Sequence, residues 1–142
     1  MNYQSIRAKL EGPLLTAYNS EIPAVPVYFD NITFVPPDPP NEYVRVNVTF
    51  GLTTESTLTD SFDHARGAII IRCFAVKSNG PARCQQLIAL AKQVIDTINA
   101  TPKVADATYI RVNDITGPIF NSIEDSPHFT GRIEAGWQAS VK

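Results

Sequence analysis

His64 lies in "DSFDHARG" with Asp60 and Asp63 beside it, and His128 lies in "EDSPHFTG" with Glu124 and Asp125 beside it. An imidazole among carboxylates is the raw material of a metal site or of general acid–base catalysis. A metal site, however, takes three or four ligands held on rigid elements. Each of these clusters brings one histidine in a polar stretch, and both are read as solvated loops. Cys73 and Cys84 are the only thiols. A helix N-terminus lowers a thiol pKa and makes a nucleophile. Cys84 is near such an end but falls on the apolar stripe of its helix, and Cys73 follows Ile69 and Ile71 on one face of a strand. Both are therefore read as reduced core residues. "NGPARC" lacks the spacing and the lysine of a phosphate-binding loop. No G-x-S-x-G occurs, and no cluster of arginine and aromatic residues of the kind that stacks single-stranded bases. The expectation is a protein without catalytic, metal-binding or cofactor-binding residues, and so not an enzyme.

The elements that would position any site are clearer. Ile6, Leu10, Leu14 and Ala17 make one apolar stripe and predict a helix over 3–19, with Gly12-Pro13 expected to kink it or split it in two. "AVPVYF", 24–29, predicts a short strand, at an edge or a bulge because Pro26 has no ladder donor. "VPPDPPNE" carries four prolines in eight residues and predicts a stiff extended arm. It runs straight into "YVRVNVTF", where Val44, Val46, Val48 and Phe50 alternate with Tyr43, Arg45, Asn47 and Thr49. Period two with one polar face predicts an antiparallel strand with one side on the core.

"LTTESTLTDSFDH", 52–64, is polar enough to form strand ends and a connecting tip. "ARGAIIIRCFAVK" is apolar on both faces and predicts a central strand, paired with the preceding one as a long hairpin. Asn79-Gly80-Pro81 starts the strongest helix, in which Cys84, Leu87, Ile88, Ala91, Val94, Ile95 and Ile98 share one face, and Thr101-Pro102 ends it. "TYIRVNDITG" and "GRIEAGWQASV" predict two further strands, the second with Ile133, Ala135, Trp137, Ala139 and Val141 inward. "PIFNSIEDSPHF" between them is expected to be a loop. The whole predicts one α+β domain over 1–142. Its sheet is mixed or antiparallel, of about four to five strands, with the N-terminal helix and one long amphipathic helix on one face.

The 142 residues suffice to bury a core without disulfide or metal, and 44% apolar with 18% charged residues is a globular balance. The net charge of −2 gives no overall basic excess for gripping phosphates. No run is long enough to span a membrane and no signal-peptide pattern opens the chain, so a soluble cytoplasmic setting is expected. The N-x-T sequons at Asn31, Asn47 and Asn99 are then incidental.

Asn31, Phe34, Pro36 and Pro37, followed by Tyr43, Arg45 and Val46, form an "N-x-x-F-x-P-P" and "Y-x-R-V" pair behind an N-terminal amphipathic helix. With the later strand, glycine turn and amphipathic helix and the closing strand, this resembles the tail terminator and tail completion proteins of long-tailed bacteriophages, the small group related to the lambda-type terminator. The resemblance implies a homo-oligomeric ring, commonly a hexamer, at the head-proximal end of the tail in the virion, assembled in the host cytoplasm. It implies three partners: further copies of the chain, the tail tube protein and a head-completion or neck protein. Genomic DNA would pass through without specific binding, and no cofactor or membrane would take part. A stiff arm suits such a ring, because it reaches a neighbour with little ordering cost. Phe34, Pro36, Pro37 and Tyr43 are the arm's interface candidates. Leu58 and Phe62 are those of the hairpin tip, where two apolar residues stand in a polar segment. The alternatives are another neck or head–tail joining protein of similar fold, or a small cytosolic ligand-binding domain or enzyme.

Overall fold

The computed structural model describes residues 2–30, 32, 35, 41–55, 62–77, 81–104, 108–122 and 126–141. Helix α1 (Tyr3–Asn19) leads to β1 (Val27–Tyr28), β2 (Tyr43–Thr54) and β3 (Asp63–Val76). Then come α2 (Pro81–Ala100), β4 (Tyr109–Ser122) and β5 (His128–Val141). The five strands form one mixed sheet in the order β1-β2-β3-β5-β4, antiparallel except for the β1–β2 pair. This is the expected α+β class, with β3 central and β1 at an edge. Pro26 needs no ladder donor there, and its carbonyl accepts from Val44 N–H at 2.9 Å.

α1 buries Ile6, Leu10, Leu14 and Tyr18. It runs as one helix through Pro13, where two short helices were an expected possibility. The proline removes one donor from the turn, but the residue whose carbonyl loses it, Lys9, is exposed to solvent. α2 buries all seven residues of the predicted stripe. Both helices cover the sheet face that carries Val44, Val46 and Val48, Ile69, Ile71 and Cys73, and Ile133, Ala135 and Trp137. Trp137, 1% exposed, donates its indole N–H to Ala68 O at 3.2 Å. Gly67 faces it. A Cβ on Gly67 would lie 2.0 Å from Thr49 O and 2.8 Å from the Trp137 ring, so only glycine lets these strands and this indole close up.

Polar contacts fix α1 to β2. Arg7 donates from Nη1 to Glu11 Oε1 and to Asp30 Oδ2, both at 2.8 Å. Asp30 also accepts from Val48 N–H at 3.0 Å and from the Asn47 amide at 2.6 Å. Burial pushes the Asp30 carboxyl up, but the bonds from Arg7, Val48 and Asn47 outweigh it and hold the group below its ordinary value.

Two expectations are corrected. "PIFNSIEDSPHF" is largely strand. β4 continues past Gly117-Pro118, with Ile119 opposite Arg132 and Phe120 opposite Gly131, and β5 starts at His128. Irregularities on either side of Thr116 and a positive φ of 99° at Gly117 absorb the break, and an edge strand tolerates the proline. Neither histidine belongs to a solvated loop. His64 is in β3, and His128, 4% exposed, opens β5.

Candidate functional site

Among the described residues both helices lie on one face of the sheet, and the register sorts the side chains of the other face into rows. Arg45, Arg72, Arg132 and Ile119 stand side by side across β2, β3, β5 and β4. One row along are Asn47, Ile70, Glu134 and Thr116. Beyond a row of small residues at Ala68 and Gly136 come Leu52, Arg66, Gln138 and Arg111, then Thr54, His64, Ser140 and Tyr109. Like charges directly opposite each other cost stability in a sheet. Here Arg72 relieves part of that by donating to Asn47 Oδ1 at 2.8 Å, and Arg132 pairs with Glu134 at 2.7 Å. The register thus sets Arg45, Arg72 and Arg132 in one row, with Glu134 in the next, on a chain of net charge −2. Guanidinium groups in a row suit carboxylates or phosphates, which they bind in bidentate fashion.

An aromatic cluster closes one end of this face. Tyr43 stacks on Phe74 with centroids 4.4 Å apart, and the edges of Tyr28 and His128 meet its ring at 6.0 and 5.1 Å. The end of the proline-rich arm is clamped here. His128 Nε2 donates to Asn41 O at 2.8 Å, and Arg83 grips the Glu42 carboxylate through Nε and Nη2, both at 2.7 Å. The arm therefore reaches β2 through two residues held by β5 and by α2.

The opposite end is a shallow cleft of about 310 Å³ lined by the last two rows. His64 Nδ1 lies 3.1 Å from Ser140 Oγ in it. The pair resembles a nucleophile with its base, but it sits on adjacent strands of a continuous ladder. β5 is flanked by β3 and β4, and Ser140 lies in register with His64 on one side and Tyr109 on the other, inside the sheet. The cleft offers cations and hydrogen bonds. The thiols are held in their protonated form. Burial pushes Cys73 up to about 12 and Cys84 up to about 11.

Of the interface candidates, Tyr43 is 6% exposed and its ring contacts lie within the chain. Phe62 is half-buried, with the Lys103 ammonium 4.9 Å above its ring. Phe34, Pro36, Pro37 and Leu58 lie outside the described residues, as do Asp60, Glu124 and Asp125. Among the described residues no group of three or more His, Cys, Asp or Glu side chains is placed to hold a metal, and no helix is long and apolar enough to cross a membrane. The arginine row is the feature that sequence reasoning missed. Its signal is an arginine at an outward position of each of three strands, and only the register brings them together.

No family model and no curated protein matches this chain. Among solved structures 28 chains match. One of them, which bears no functional name, superposes with a TM-score of 0.70 over 98% of this chain and 96% of its own, at 22% identity. That likeness establishes the fold.

Proposed function

We propose that this protein is a structural component of a bacteriophage tail, a ring that caps the head-proximal end of the tail tube, ends its polymerisation and receives the head. The observation that carries the proposal is the zoned sheet face: four strands wide, bearing a row of arginines, with no helix across it among the described residues. A face of that kind suits a protein surface of opposite charge better than it suits a small substrate. The sequence pattern supports the same reading, because Tyr43 and Arg45 of the "Y-x-R-V" segment stand on this face while Val46 points into the core. The clamp at Asn41 and Glu42 supports it too, since an arm that bears on a neighbour transmits load only if its root is held. In the proposed ring the partners are further copies of the chain, the tail tube protein and a neck protein, and DNA passes without being gripped.

The test is location. A tagged copy of the protein, incorporated during infection and labelled on isolated tails, is expected at one end only, the head-proximal one. Label along the whole tail, at the host-facing tip or absent from tails would overturn the proposal.

A further inference from the structure

Past the end of α1 the chain presents an apolar knob. Ile22 is 97% exposed, the most of any large apolar residue among those described, with Glu21 before it and Pro23 after it. The knob is braced. The N–H groups of Glu21 and Val25 both donate to Tyr18 O, at 3.3 and 3.1 Å, and Tyr18 and Val25 are fully buried. Solvation gives no reason to hold an isoleucine out in this way, and bracing lowers the entropy lost on docking.

Near the other end of α1 lies a groove of about 420 Å³, between that helix, the end of α2 and the start of β4. Ile98 and Ile110 are its buried residues, Pro13 and Pro102 line it, and Val104, 61% exposed, and Lys9 are at its mouth. The Ser5–Thr108 hydroxyl contact at 2.7 Å ties α1 to the chain entering β4 at the same place. Lys9 makes no ion pair among the described residues.

We propose that the groove takes Ile22 of a second copy of this chain, with Glu21 of the incoming copy meeting Lys9 of the receiving one. The chain's own knob does not fill it: Ile22 is 97% exposed and is not among the residues that line the groove. The match is both apolar and ionic, and the two surfaces differ, so the contact is head-to-tail and propagates to a ring or a filament. A single knob buries far less than the ~800 Å² per partner of a stable interface. It therefore sets the register of association, and the free protein associates weakly. This inference rests on the ring reading and names its subunit contact.

The test is a thiol crosslink in the full chain carrying Ile22→Cys and Val104→Cys, with a short bismaleimide, the native thiols being buried. A ladder from dimer upward is expected with the double variant, and at most dimers with either single variant. Adding Glu21→Lys should lower the ladder yield about two- to fivefold, the size of an exposed ion pair, and adding Lys9→Glu as well should restore it. No ladder at the highest soluble concentration, or equal products from a single variant, would overturn the contact. So would an Ile22→Asp protein that complements a phage lacking the gene, and that result would leave the terminator reading standing. A phage lacking the gene with tails of normal length would instead remove that reading.

Discussion

Cys73 and Cys84 are thiols that burial keeps protonated, with values pushed up to about 12 and 11. Alkylation at neutral pH should label neither in the native protein and both in denaturant, and stoichiometric labelling without denaturant would show that the site opens. Replacing both by Ala should cost roughly 1–3 kcal/mol in all, in line with small core deletions, and leave tail-forming activity intact. A folded double variant without activity would give the sulfurs a role beyond packing. Asp30 works through charge. Its folded value lies below the ordinary one, so it binds its proton less readily when folded than when unfolded. Its contribution to stability is thus full above the unfolded value and lost as pH falls through the folded one. Asp30→Asn should lower stability near neutrality by roughly 1–2 kcal/mol, the range for a charged hydrogen-bonded group that is partly exposed. It should also flatten the loss of stability on acidification, and denaturant melts at several pH values read both effects.

Among the elements, the β2–β3–β5 core depends on one close approach. A methyl group at Gly67 meets Thr49 O and the Trp137 ring at once, so Gly67→Ala should destabilise by roughly 2–3 kcal/mol, measured as a lowered urea midpoint. The elements show where sequence reasoning succeeds and where it stops. α2 was legible in full because its seven buried residues follow one period over about four turns and a proline stands at each end. β2 and β5 were legible because every second residue is apolar. The second half of β4 was not, because Gly117-Pro118 reads as an end and an irregular edge strand has no clean alternation. His128 looked like a loop residue for a related reason: its burial comes from Tyr43, Phe74 and Asn41, which are distant in sequence. The arginine row was hidden because alternation fixes the face of a residue but not its partner across the strand.

At the scale of the whole molecule, among the described residues, one face of the sheet is covered by two helices and the other carries a row of arginines with an aromatic cluster at one end. A long hairpin carries Phe62 past the cleft end of the arginine-bearing face, beneath Lys103. Changing Leu58 and Phe62 to Ser is expected to leave the melting temperature nearly unchanged and to abolish tail termination in a complementation assay. Normal complementation would move the anchor elsewhere. The central proposal, that the protein sets where the tail tube stops, is tested most directly by tail length. In lysates of a phage lacking this gene, electron microscopy should show tubes of uncontrolled length beside separate filled heads, and expression of the protein in trans should restore one length and joined particles. Tails of a single normal length in the lysate lacking the gene would contradict it.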